Sequence, residues 1–402
     1  MTKKVYITGN GIVSSLGFNV TETLDSVLNS RSGIAPLQYL KTRHRGQLLA
    51  GEVKATNQTL LNRLNLIANG TYSRTALLGI MAAREAFRQA NLAENTHLKT
   101  GLISSTTVGG VDRSEVFYNQ KKSEDETESI RVMLSHDCGD STERIADDLG
   151  IRDYVTTIST ACSSSANAIL LGARMIKQGH LDRVLVGGTD ALTAYTLNGF
   201  RSLKILDEKL CRPFDDTREG LNLGEGAAFL VLESEKSLQI SKNKPLGEIK
   251  GYGNTNDAFH QTASSPEGLG ALGAMRKALI MIELNLEEID YVNVHGTGTP
   301  NNDQSEGRAM QALFGGNLPD FSSTKSFTGH TLAPAGVIEA VLCLLSINRD
   351  ILLPNLNFKM PMEGLDILPI LKLERNVMVK NVLSNSFGFG GNCTSLVFCH
   401  SD

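Results

Sequence analysis

Cys162 sits in ISTACSSS (residues 158–165), crowded by small residues and running straight into SANAILLGARMIKQ (165–178), a stretch with helical apolar spacing. A side chain at such a strand–turn–helix junction stands at a sharp elbow, the principle hydrolases use for their nucleophiles with a different motif. A helix start offers unpaired N–H groups and a positive dipole end. Both favour thiolate over thiol, and the same N–H groups can hold an oxyanion. Acyl transfer through a thiol is the chemistry this arrangement allows. Taken alone, Cys162 also fits a buried structural cysteine among small neighbours.

His295 opens HGTGTP at the end of the apolar strand 291–294, and a polar residue followed by such a loop reads as a site. Thr297 and Thr299 offer hydroxyls to an amide-bearing substrate arm. His330 lies in STKSFTGHTLAPAG (323–336) with Lys325 shortly before it, and FGFGGN (387–392) supplies a further glycine loop. A lone histidine is more often structural than catalytic. Here both histidines sit in glycine-containing turns, and a cysteine stands at a helix start. A protease-like Cys/His pair would leave the second histidine, Lys325 and the glycine loops unused.

The elements that must position these residues alternate between strand and helix, which predicts an α/β protein. Strands are expected at 183–188 (RVLVGG), 227–232 (AAFLVL), 291–295 (YVNVH) and 395–399 (SLVFC). Helices are expected at 165–178 and 335–347, the latter with Pro334 close to its start, where proline is tolerated. A chain of 402 residues exceeds the usual size of one core, so two closely packed units are expected. The polar, lysine-rich stretch 234–245 is the best join, giving units 1–240 and 241–402.

Hydrophobic residues make up 41% and charged residues 20%, with net charge −4, and nothing in that balance points to nucleic acid or an anionic membrane. No apolar stretch is long enough to span a bilayer. Residues 5–9 read as a strand entering a turn at Gly9 and Gly11 rather than as a leader, so a cytoplasmic protein is expected. The acidic run 124–128 (EDETE) reads as a solvated face. The six cysteines, at 138, 162, 211, 343, 393 and 399, form no CxxC pair and no zinc-type cluster, so free thiols and no metal are expected.

With these residues in place, the chain resembles the 3-oxoacyl-(acyl-carrier-protein) synthases of the chain-elongating type, within the thiolase-like condensing enzymes. The resemblance runs from YITGNGIVSSLG to SFGFGG, through TACSSS, CRPFDDTREGLNLGEGAA, HGTGTPNNDQSE, STKSFTGH and SNSFGFGG in family order. It implies Cys162 as nucleophile and His295 and His330 as the decarboxylation pair. Lys325 matches a supporting lysine and Glu306 its carboxylate partner, while Asp303 and Glu339 fall on positions that support the site from behind. Phe389 matches a gate on the acyl pocket, with its N–H completing an oxyanion hole with that of Cys162. Val108 falls near the family's acyl-tunnel bottleneck and is either length-controlling or simply core. Arg201 and Lys204 are candidates for docking an acidic carrier protein, with Arg63 and Arg74 weaker ones.

The resemblance also implies an αβαβα layered fold of two similar halves, each with a mixed five-stranded sheet. It implies no organic cofactor, acyl carrier protein as partner, and a dimer, either of two copies or with a chain-length-factor-like subunit. The expected reaction is decarboxylative condensation of an acyl-enzyme with a malonyl-carrier thioester, in fatty acid or related polyketide or aryl polyene synthesis. Alternatives are a non-catalytic chain-length partner, which typically lacks the cysteine, and a thiolase acting on coenzyme A esters, which would need a second active cysteine. An initiating synthase would pair one histidine with asparagine.

Three departures from the family pattern stand out. Gly390-Gly391-Asn392-Cys393 replaces the common Gly-Gly-Thr-Asn, and a structural role is expected for Cys393. Pro334 replaces an alanine. The stretch 113–140 is unusually charged.

Overall fold

The computed structural model describes residues 3–67, 72–122, 130–282 and 284–401, so the acidic run 124–128 lies outside the described residues. Ten strands form one sheet. In chain order they are β1 (Val5–Ser14), β2 (Thr100–Ser105), β3 (Tyr154–Ile158), β4 (Arg183–Asp190), β5 (Gly226–Ser234), β6 (Gly247–Asn256), β7 (Tyr291–Asn293), β8 (Asp320–Ser322), β9 (Asn381–Phe387) and β10 (Asn392–Cys399). From the centre outward, one side runs β1-β5-β4-β2-β3 and the other β6-β10-β9-β7-β8. Adding five to each label of the first run gives the second. On both sides the inner two pairings are antiparallel and the outer two parallel. The chain is therefore a topological duplication. Within the sheet its halves pair at β1 and β6 through only Tyr6↔Glu248 and Ile7↔Gly247.

Six helices complete the repeat: α1 (Arg74–Gln89), α2 (Cys138–Leu149) and α3 (Ser164–Gln178) in the first half, and α4 (Leu269–Ile280), α5 (Pro300–Phe314) and α6 (Ala335–Arg349) in the second. Strand periodicity sorts them into layers. On β5, Ala227, Phe229 and Val231 face a cluster with Leu77, Ala86 and Ile145 of α1 and α2. Alternate residues Ala228, Leu230 and Leu232 face the opposite way, into a core with Ile169 and Ala173 of α3 and Val337 and Val341 of α6. On the far side, Val292, Leu383 and Val397 pack under Ala274 and Met275 of α4 and Met310 of α5. The order is α, β, α, β, α, with α3 and α6 as the shared middle layer.

One reading of the sequence changes. Gly9 and Gly11 do not end the first strand, which continues to Ser14. They let α1 lie against it: a Cβ at Gly9 would stand 2.5 Å from the Ala86 carbonyl oxygen, and one at Gly11 2.1 Å from that of Ala82. The stretch 234–245 lies between β5 and β6, the last strand of one half and the first of the other. It contains the helix Glu235–Ser241, capped by Ser234, and Ser237, Ser241 and Asn243 all donate to the Glu233 carboxylate. None of the six cysteines is in a disulfide, and among the described residues no helix is long and apolar enough to cross a membrane.

Candidate active site

β3 delivers the chain to Cys162, and α3 begins two residues later at Ser164. Between them Ala161 takes the left-handed conformation (φ 52°), which an alanine holds only under local constraint. That turn aims the thiol at a cavity of about 340 Å³ whose wall includes Cys162, His295, His330, Thr297, Thr299 and Phe389. The backbone N–H groups of Phe389 and of Cys162 itself both lie against the sulfur. Burial nevertheless pushes the thiol up to about 12, outweighing the pull of the Lys325 charge and of those N–H groups. The helix start and the lysine both favour the thiolate, as expected, but at 6% exposure desolvation outweighs them.

His295 follows β7 and is held by its backbone. Its N–H and that of Gly296 donate to the two oxygens of Glu306 at 2.8 and 2.9 Å, and Asn385 Nδ2 donates to the same carboxylate. Glu306 stands on α5, which starts at Pro300 directly after the N-cap position Thr299, so the HGTGTP loop is folded back onto its own helix. Burial pushes the Glu306 carboxyl up to about 7. Asp303, one turn earlier, is buried and accepts from the N–H groups of Phe214 and Gly298. Arg218 lies 3.8 Å away.

Lys325 is not paired with Glu306. Its ammonium donates to Glu339 on α6, to the His295 carbonyl oxygen at 2.7 Å and to His295 Nδ1 at 3.3 Å. The carboxylate partner expected for Lys325 is therefore corrected from Glu306 to Glu339. Glu306 is already engaged by backbone donors, whereas α6 carries Glu339 directly onto the buried ammonium. With Nδ1 accepting, His295 carries its proton on Nε2. His330 is oriented likewise: its Nδ1 accepts the Leu332 N–H at 3.4 Å, and Leu332 reaches that position at φ 64°. Backbone bonds to Asn222 and Gly224 pin His330 itself. The two rings stand edge to face, 5.4 Å apart. Burial, then the Lys325 charge, holds both well below the usual histidine range, so both are neutral N–H donors at pH 7.

Phe389 is 36% exposed and stacks on Phe200, with centroids 5.9 Å apart. Val108 does not line the cavity. It packs with Phe200 and Ile205 against the cluster of Leu192, Leu197 and Leu221. Cys393 does line the cavity, although burial pushes its thiol up to about 12. Arg201 and Lys204 are exposed at the end of the helix that carries Phe200, and Arg201 donates to His44 Nδ1 at 2.7 Å. Arg63 lies 3.9 Å over the Phe18 ring. Arg74 is withdrawn as a docking residue: it is buried in a two-point ion pair with Glu225.

Asp190 escaped the reading of the sequence. Its buried carboxylate accepts from Thr106, Thr107, Val108 and Ala333, tying the loop after β2 to the His330 loop. The signal was available, since Asp190 is a polar residue at the carboxyl end of an apolar strand, as His295 is.

The description "Beta-ketoacyl synthase, N-terminal domain" matches residues 2–237, and "Beta-ketoacyl synthase, C-terminal domain" matches residues 246–359. The chain is 33% identical to 3-oxoacyl-(acyl-carrier-protein) synthase 2 of Staphylococcus aureus (strain COL), covering 98% of each chain. It is 34% identical to nodulation protein E of Rhizobium meliloti (strain 1021), covering 99% of each. Among solved structures it is similar to the ishigamide ketosynthase/chain length factor (TM-score 0.93, 30% identity, 100% of both chains). It is also similar to a ketosynthase in complex with its chain length factor from Xenorhabdus doucetiae (TM-score 0.84, 30% identity, 99% of this chain and 98% of that one).

Proposed function

This chain belongs to the beta-ketoacyl synthase family and is a condensing enzyme, and from that premise we propose that Cys162 carries the acyl group while His295 and His330 generate the carbanion that extends it. The observation that carries this reading is a buried thiol flanked by two backbone N–H groups, facing one cavity with two neutral imidazoles.

The acyl group arrives as a thioester on a carrier's phosphopantetheine arm, whose amides meet Thr297 and Thr299. Cys162 Sγ attacks the thioester carbonyl, and the N–H groups of Cys162 and Phe389 hold the oxyanion. The arm leaves as its thiol, taking the proton Cys162 gives up. A malonyl thioester then enters. Loss of carbon dioxide leaves an enolate whose oxygen is held by Nε2–H of His295 and of His330. Its carbon attacks the acyl-Cys162 carbonyl, the carbon–sulfur bond breaks with the electron pair leaving on sulfur, and the 3-oxoacyl thioester departs while the released thiolate takes a proton from solvent to restore the thiol. The protein is thus an acyltransferase. Lys325, held by Glu339, fixes the His295 tautomer and keeps both imidazoles neutral by its charge.

Arg201 and Lys204 stand beside the cavity wall through Phe200, which suits docking of an acidic carrier there. A dimer, of two copies or with a chain-length-factor-like subunit, would cover β3, which ends the sheet. Six cysteines without a disulfide among them suit a reducing cytoplasm. The substrates belong to fatty acid or to related polyketide and aryl polyene synthesis.

Intact-protein mass spectrometry after incubation with a panel of acyl carrier proteins tests the reading. The expected result is one acyl adduct on Cys162, discharged only on adding malonyl-carrier. Cys162→Ala abolishes the adduct; Cys162→Gln abolishes condensation but keeps malonyl decarboxylation. His295→Ala loses decarboxylation while still forming acyl-enzyme. Condensation by Cys162→Ala would overturn the assignment.

A further inference from the structure

We propose that Asn392 is a positioning residue for the oxyanion hole, acting by locking the glycine loop that carries Phe389 onto the turn that carries Cys162. The proposal rests on the acyl-transfer role given above to Cys162.

The two N–H groups that face the sulfur come from separate parts of the chain, one from the β3–α3 turn and one from the loop 387–391. Nothing covalent holds them in register. Asn392, the first residue of β10, stands directly behind both. Its Oδ1 accepts from Ser163 Oγ at 2.8 Å, from Asn167 Nδ2 on α3 at 2.8 Å and from Asn254 Nδ2 on β6 at 3.0 Å. Thr394 Oγ1 also points to it at 3.4 Å. Its backbone carbonyl accepts the Gly388 N–H at 2.8 Å, which closes the glycine loop. Ser163 is the neighbour of Cys162, and its hydroxyl oxygen also lies 2.8 Å from the Thr160 carbonyl oxygen, the alternative acceptor for its single hydrogen. Gly388 presses on the same turn: a Cβ there would lie 2.7 Å from the Thr160 oxygen and 3.2 Å from the Cys162 nitrogen.

One side-chain oxygen thus gathers donors from the nucleophile turn, from the first turns of α3 and from the neighbouring strand. The loop presenting Phe389 is the only further partner it constrains through its own backbone among these contacts. The His295 and His330 supports, Glu306, Glu339, Lys325 and the Leu332 N–H, share no hydrogen bond with it. Loss of Asn392 should therefore disturb the step that needs the oxyanion hole and spare the step that needs the imidazoles.

The test compares two half-reactions. Acylation of Cys162 by an acyl-carrier thioester is followed by rapid-quench mass spectrometry in the wild-type protein and in Asn392→Ala. Malonyl-carrier decarboxylation is followed in Cys162→Gln and in Cys162→Gln/Asn392→Ala. The expected result is an acylation rate reduced roughly tenfold or more, with decarboxylation unchanged within about twofold. Asn392→Asp, which still accepts from all of these donors, should recover most of the acylation rate. Equal losses in both half-reactions, or wild-type acylation by Asn392→Ala, would overturn the proposal. If Asn392→Ala does not fold, Ser163→Ala removes one donor and should give the same selective loss on a smaller scale. If the wild-type protein itself forms no adduct on Cys162, the role given to that cysteine falls and the proposal falls with it, whereas a wild-type adduct with unselective loss in Asn392→Ala overturns the role of Asn392 alone.

Discussion

Removing the ammonium of Lys325 would leave Glu339 buried with no cation beside it. Both groups are nearly inaccessible, at 2% and 3% side-chain exposure, so Lys325→Met should cost about 3–5 kcal/mol in denaturant unfolding. The pH dependence has a definite sign. Burial already pushes the Glu339 carboxyl up to about 7, and losing Lys325 raises it further. The folded protein then binds a proton that the unfolded chain releases near the ordinary glutamate value, so the defect grows as pH rises through 7 and shrinks below it. Lys325→Met/Glu339→Gln should recover stability but not decarboxylation. At Cys162, a thiol pushed up to about 12 should be alkylated by iodoacetamide at a rate that climbs roughly tenfold per pH unit between 7 and 9. A plateau by pH 7 would show a resting thiolate instead. The residue types of this site were legible because thiol, imidazole and ammonium each stand in a glycine- or serine-rich turn. The pairing of Lys325 was not. Two carboxylates, Glu306 and Glu339, are equivalent as letters, and only the packing of α5 and α6 decides between them.

Elements built on small residues are where the site is most exposed to mutation. At the start of α6, a Cβ on Gly336 would stand 2.7 Å from Ser386 Oγ and 3.0 Å from the Ala166 methyl on α3. Ser165 Oγ accepts the Val337 N–H across the same contact. Gly336→Val should force α3 and α6 apart, losing about 1–3 kcal/mol of stability and more than that in acylation, because α3 carries the Cys162 turn. Thermal unfolding alongside the acylation rate measures both. The strands and helices of this region were legible from their periods, since β4, β5, α3 and α6 are each apolar in the pattern their geometry requires. Gly9 and Gly11 misled for a physical reason. Glycine usually interrupts a strand, but here its missing Cβ is what lets the Ala82 and Ala86 carbonyls of α1 reach β1.

Across the whole molecule, the two halves share one apolar core through α3 and α6, while their sheets touch by only two register pairs. Calorimetry should therefore show a single unfolding transition, and residues 1–240 expressed alone should lack native cooperativity. Two separated transitions would contradict a shared core. The duplication was invisible in the sequence because what repeats is strand order and pairing sense, and neither requires similar side chains. That repeat places α3 and α6 at equivalent addresses, each following the third strand of its half. Cys162 precedes the first and His330 the second. Both halves have the same scaffold, and under the proposed mechanism they have different trades: one half holds the electrophile, the other makes the nucleophile that meets it. Because these side chains sit on turns rather than in the layers, a descendant could lose either trade and still inherit the architecture intact, ready to serve as a silent companion to a working copy.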